Sequence, residues 1–364
     1  MAKPIISADS HITEAPGTYV DRIDRRFRDR APHVVRDAKR GDLFVIDGMD
    51  KPIPMGLIAA AGKPAEELRM FGARMEDMHP GGFDPEARLG EQDVDGVSAE
   101  VLYPTVGMML CNHPDFDYKH ACFDAYNGWI AEYCAAHPDR LIGVGQTAMR
   151  SVEEGIEDLR EMKRLGLRGV MMPGNPAVAD YDDPIYAPFY EAAVDLGLPL
   201  SFHILTSQGT ASRRGAPPQR LPLDHPRLPG HHRHVRPGRR LRAASEAQAR
   251  VRGGRRGLGP ALHVPDGPRL GAAPLLAAGG DAHEEAERVL PRARVHHVPG
   301  RLGGLPGDRS LQRAATHVGE RLPHSDSTWP HSQDVLAAQT AHLSPADRDL
   351  ILHDNVAELY GLER

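Results

Sequence analysis

Apolar residues in the first 207 positions fall into short solid runs, separated by longer stretches in which they recur every three or four residues. The solid runs are Pro4 to Ala8, Gly96 to Pro104, Leu141 to Val144, Gly169 to Pro173 and Leu198 to Ile204. Runs of this length, bounded by turn residues, predict strands. Between them, Ala121, Cys122, Ala125, Trp129, Ile130 and Tyr133 keep helical spacing from Tyr118 to His137, until Pro138-Asp139-Arg140 stops the helix. Val152 to Leu165 and Pro188 to Leu196 predict two further helices, closed by Gly166 and Gly197. The order βαβαβ implies parallel strands with covering helices. Residues 30–90, with scattered Met, Pro and Gly, predict a loop-rich excursion over a barrel mouth rather than regular elements. Near the other end, Ser344-Pro345-Ala346-Asp347 predicts a helix start, with Ser344 as N-cap and Pro345 at the first helical position. That helix runs to about Leu359-Tyr360-Gly361.

The rhythm stops between Gly209 and Leu322, where Lys, Phe, Tyr, Trp, Ile, Met, Cys and Asn are all absent, although all eight occur before it and Trp, Ile, Tyr and Asn occur after it. Every aromatic and two large aliphatics are therefore missing, so a packed core cannot easily be built there. About twenty Arg stand in this stretch against nine Asp plus Glu, so the net charge of −6 hides a basic segment inside an acidic remainder. With 364 residues the chain suits one α/β barrel domain, 1–364. Within that domain, 209–322 is anomalous and 323–364 returns to ordinary composition. The opening residues lack an apolar signal core and no run approaches a membrane span, which predicts a cytoplasmic protein. Cys111, Cys122 and Cys134 form no Cys-x-x-Cys pair and predict reduced, mostly buried thiols.

Candidate chemistry sits at strand ends. Asp9 and His11 close the first strand, two residues apart and hence on one side, and in a parallel barrel that end faces the active site. A carboxylate and an imidazole so placed can grip a borderline divalent metal, zinc first and manganese second. His203 ends a later strand and can join them. An Asp that caps the next turn and a hydrogen-bonded core His are the structural alternatives.

These residues also carry a resemblance. Asp9-Ser10-His11 with Glu14, Gly96-Val97 with Glu100-Val101-Leu102-Tyr103-Pro104, and the Asn127 to Trp129 helix are part of it. So are Pro138-Asp139-Arg140-Leu141-Ile142-Gly143, Gly166 with Arg168-Gly169-Val170, Pro184-Ile185-Tyr186 with Phe189-Tyr190, and Leu198-Pro199 with His203. In this order they resemble the amidohydrolase-related proteins of the aminocarboxymuconate-semialdehyde decarboxylase type. The resemblance covers about residues 4–208 and 323–361. It implies a (β/α)8 TIM barrel with one divalent metal, which decarboxylates or hydrolyses small, often aromatic-derived, carboxylic acids. By it Asp9 and His11 stand at the first-strand ligand positions, where the family often has His-x-His, and His203 stands at the mid-barrel ligand position. Glu14 and His324 are candidate substrate-binding positions. A small carboxylate is the implied partner, with a homo-oligomer left open.

The family also expects a Gly-Trp-x-Pro word, and a metal-binding Asp just before a Phe-Pro-His word. Neither is present: Gly319-Glu320-Arg321-Leu322 precede Pro323-His324 where Ala-Asn-Asp-Phe is expected. A change of reading frame accounts for this. Codons for His317 to Leu322 read one phase over give Met-Trp-Ala-Asn-Asp-Phe, with the lost Asp over Arg321. The same phase across Leu258 to Leu270 gives a second family-like word beginning Trp-Val-Pro-His. Two compensating frame changes, near Gly209 and near Leu322, are inferred, which predicts that roughly the last four barrel strands do not form normally and that the chain is unstable or inactive. Two other classes compete. One is a barrel-derived binding protein without catalysis; the other uses the Arg-rich stretch on nucleic acid, although no aromatics are there to stack bases. His231, His232 and His234 could bind a metal adventitiously.

Overall fold

The computed structural model describes residues 3–56, 58, 60–207, 275–278, 295–298, 316–318, 322–325 and 327–362. Eleven strands are found among them. Strands β2 (His33–Asp37), β3 (Gly41–Val45) and β4 (Ile53–Pro54) form a small antiparallel sheet. The other eight, β1 (Ile5–His11), β5 (Val97–Tyr103), β6 (Leu141–Gln146), β7 (Gly169–Met172), β8 (Leu200–His203), β9 (Leu275–Ala278), β10 (Val295–Val298) and β11 (Thr316–Val318), pair in that order. Every pairing is parallel. Just beyond β11, the carbonyl of Leu322 accepts from the His11 N–H at 2.8 Å, which brings the end of the array back to its first strand.

Parallel strands covered on both faces need apolar residues throughout, and all residues of β1, β6 and β7 are buried. Helix Phe116–Ala135 follows β5, with Asp115 as N-cap accepting from the Tyr118 N–H. Helix Val152–Arg164 follows β6 with Ser151 as its cap, and helix Ala187–Leu196 precedes β8 and ends on Gly197 at φ 66°. The C-terminal helices behave as the sequence predicts: the Ser344 hydroxyl caps at the Asp347 N–H, and Gly361 ends the last of them at φ 64°. Ile351 and Leu352 pack with Ile5 and Val97, while His353 bonds the Pro4 carbonyl, so this tail backs the first strand.

Three findings adjust the sequence expectations. Residues 30–90 hold the three-stranded sheet and a capped helix, Pro85–Asp95, with Asp84 accepting from the Glu86 and Ala87 N–H groups. The excursion meets the residues after β1 and β11, since Thr13 N–H donates to Gly82 and Ala61 N–H donates to Pro323. Finally, five array strands lie in ordinary sequence, and among the described residues three fall within 209–322, where about four are expected. Those three have three or four residues each against seven in β1 and β5.

Candidate metal centre

Asp9 and His11 lie near the end of β1, and His203 is the last residue of β8. Both strands deliver buried side chains to one place. His203 Nε2 is 3.3 Å from Asp9 Oδ1, and His11 Nε2 is 3.4 Å from the same oxygen. The two imidazoles stand edge to face with centroids 4.8 Å apart. One ligand atom from each of the three residues falls within 4.8 Å of the others.

His11 Nδ1 is 3.1 Å from the Pro104 carbonyl, and His203 Nδ1 is 3.1 Å from the Ile204 carbonyl. A neutral imidazole has one N–H, yet each ring faces an acceptor at both nitrogens. Placing both protons on Nδ1, against the carbonyls, leaves two lone pairs and a carboxylate oxygen facing one another. His11 Nε2 indeed makes no hydrogen bond although it is fully buried. Burial lowers the His11 pKa, with His203 adding to it and Asp9 and Pro104 opposing, so a second proton is disfavoured there. A cation among the three atoms resolves the conflict, and imidazoles held at Nδ1 by carbonyls are the usual form of metal-ligating His.

The surroundings are built to hold these groups. His324 stacks on His11 with centroids 4.2 Å apart, and its Nε2 is 2.9 Å from Thr105 Oγ1. The Thr105 hydroxyl donates to the Ile12 carbonyl at 2.6 Å, so His324 donates from Nε2. Glu14 is fully buried, and its carboxylate accepts from the N–H groups of Thr105, Val106 and Gly107 at 3.0–3.1 Å. Burial pushes its pKa up against the pull of those N–H groups. Glu14 thus fastens the segment that carries Thr105, with both carboxylate oxygens engaged by backbone N–H groups. His324 is half-buried.

Beneath the first strand lies an ion pair that sequence reasoning missed. Arg88 and Glu100 are both fully buried, with Nε to Oε2 at 2.6 Å and Nη2 to Oε1 at 2.8 Å. Burial alone would raise the Glu100 pKa, but the Arg88 charge and bonds from Arg88, Gln92 and Ser10 hold it below the ordinary carboxylate value. Arg88 also donates to the carbonyls of His11 at 3.0 Å and Leu322 at 3.2 Å. It therefore ties the Asp9–His11 end of β1 to the residues after β11. A charged residue at the first exposed-looking turn of an unassigned helix gave no sequence signal for this.

A second group of donors lies on the outer helices. His120, Glu154 and Asp158 bring one ligand atom each within 4.8 Å, with Asp124 adjoining. Burial pushes the Asp158 carboxyl up to about 7, opposed by the Thr147 hydroxyl and His120. Arg321, His231, His232 and His234 lie outside the described residues, so nothing in the structure bears on the lost Asp. The three cysteines are buried and free. Among the described residues no helix is long and apolar enough to cross a membrane.

A parallel array with donors gathered at strand ends is the architecture of barrel metalloenzymes. The family model described as an amidohydrolase matches residues 9–226, and the chain belongs to that family. A 2-amino-3-carboxymuconate-6-semialdehyde decarboxylase of Dictyostelium discoideum is 32% identical over 128 residues, which are 33% of this chain and 34% of that protein. The match thus spans about a third of that relative's length. Among solved structures, an amidohydrolase from Mycobacterium avium subsp. paratuberculosis K-10 superposes with a TM-score of 0.61 at 18% identity, covering 100% of this chain and 99% of that one. A 2,6-dihydroxybenzoate decarboxylase from Rhizobium gives 0.50 at 15% identity, covering 99% of each. At these identities the likeness carries the fold.

Proposed function

We propose that this single barrel domain derives from a metal-dependent carboxy-lyase or hydrolase acting on a small, often aromatic-derived, carboxylic acid, with Asp9, His11 and His203 holding one divalent metal. The observation that carries the reading is the buried meeting of His11 Nε2, His203 Nε2 and Asp9 Oδ1, where His11 Nε2 makes no hydrogen bond. The two-nitrogen, one-carboxylate set suits zinc, with manganese second. The decarboxylase relative supports the carboxy-lyase side.

When bound, the metal supplies a Lewis acid and an acidified water. The chain's own residues do the rest. The Pro104 and Ile204 carbonyls hold the Nδ1 protons of the two imidazoles and fix both Nε2 lone pairs inward. His324, braced by Thr105 and stacked on His11, is the substrate-side imidazole. Full burial of Asp9 and His11 keeps water from screening these charges.

The fourth ligand of the parent enzyme is the Asp that a change of frame replaces with Arg321, and the chain as written is of low activity or none. Metal analysis of the purified chain tests the site: a stoichiometric divalent ion is expected, and one that Asp9→Ala does not remove would sink the assignment. The DNA sequence across codons 205–325 tests the frame change, which fails unless the other phase reads as uninterrupted barrel-like sequence. Restoring that phase is expected to yield carbon dioxide release, or hydrolysis, on small carboxylates.

A further inference from the structure

Helix Phe116–Ala135 and helix Val152–Arg164 face each other through residues that the central site does not use. His120 lies on the first, four residues before Asp124; Glu154 and Asp158 lie four apart on the second. His120 Nε2 is 3.3 Å from Asp124 Oδ2. Its Nδ1 is 3.7 Å from Asp158 Oδ1 and 3.9 Å from Glu154 Oε1. Those last two separations are too long for hydrogen bonds, yet suit donors that share an ion at about 2.0–2.2 Å from each.

Two independent features point the same way. A proton on Nε2 of His120 faces Asp124, which leaves the Nδ1 lone pair toward Glu154 and Asp158; a carboxylate behind the far nitrogen is the usual support of a metal-bound His. The charges are also unbalanced. Glu154 and Asp158 are 8% and 9% exposed, and among the described residues the full cation paired with these two or Asp124 is Arg150, whose Nη2 lies 2.6 Å from Glu154 Oε2. That buried oxygen makes no hydrogen bond, while Glu154 Oε1 accepts from the Arg150 backbone N–H at 3.2 Å. Thr147, directly after β6, donates to Asp158 Oδ2 at 2.6 Å and so leaves Oδ1 for the gap.

We propose that His120, Glu154 and Asp158 form a second divalent-cation site, oriented by Asp124, that staples the helix after β5 to the helix after β6. One imidazole and two carboxylates are a zinc donor set, and the part-exposed His120 admits water as the remaining ligand. The site is structural. Through Thr147 it fixes the turn that follows β6.

The test uses the full chain, stripped of metal by a chelator and titrated with zinc alone. In the double variant Asp9→Asn, His203→Ala, which disables the central cluster, one equivalent of zinc is expected to bind and to raise the melting temperature. Adding His120→Ala or the near-isosteric Asp158→Asn is expected to weaken that equivalent by at least about tenfold, with the far-ultraviolet circular dichroism unchanged. Zinc that fails to bind the double variant overturns the proposal, as does affinity left within twofold by both added substitutions. Loss of the central equivalent in the parent chain leaves this result untouched, so the two sites fail separately.

Discussion

Two histidine–carboxylate clusters in this chain use the same kinds of donor in different settings. The central one draws on strand ends, is closed to solvent, and sets two imidazoles against one carboxylate. The outer one draws on helix faces, keeps His120 part-exposed, and sets one imidazole against three carboxylates. Backbone carbonyls orient the central imidazoles, whereas a side chain, Asp124, orients the outer one. A site whose supports belong to the sheet is as rigid as the sheet. One whose supports are side chains on separate helices gains its rigidity from the ion.

This difference can be broken first at Arg88. Arg88→Ala removes the support of the His11 carbonyl and leaves Glu100 buried without its partner. Denaturant unfolding should show a loss of about 3–5 kcal/mol, while replacing both residues with Met should recover most of it. The same pair sets an acid limit. Glu100 has a folded pKa below its ordinary 4.5, so its contribution is present above that value and is lost as pH falls through the folded pKa. Urea midpoints measured from pH 6 downward should therefore drop below about pH 4.5 in the parent, and less in the double-Met variant.

Next in size is Glu14→Ala, which strips the acceptor from three backbone N–H groups. A cost of about 1–3 kcal/mol is expected in the same unfolding assay, with weaker central metal binding as the Thr105 segment loosens. The smallest effect is Asp124→Asn. Zinc titration should show the outer equivalent weakened about tenfold and the central one unchanged. Equal weakening of both would mean that the clusters are not independent.

The central cluster was legible in the sequence because strand-end residues announce themselves: an apolar run ends, and period-two alternation says which side Asp9 and His11 share. The outer cluster was not. His120 with Asp124 and Glu154 with Asp158 are ordinary i,i+4 pairs on amphipathic helices, and each pair alone reads as a solvated face. Only packing of one helix on the other makes them a group. Helix Pro85–Asp95 was a readable miss, since Asp84, Pro85 and Gly96 are a full set of start and stop signals. Strands β9 to β11 carry no such signal; Leu-Leu-Ala-Ala and Thr-His-Val gain strand geometry from pairing with neighbours distant in sequence.

The bond between the His11 amide and Leu322, with the Arg88 clamp beside it, is made entirely to main-chain carbonyls on the receiving side. A carbonyl offers the same two lone pairs whatever side chain it belongs to. This latch is therefore blind to spelling: the proposed change of frame can rewrite every letter of the last strand and still leave the first strand something to hold. What it could not survive is a premature stop, because a chain ending before residue 322 takes away the carbonyl that the buried His11 amide donates to.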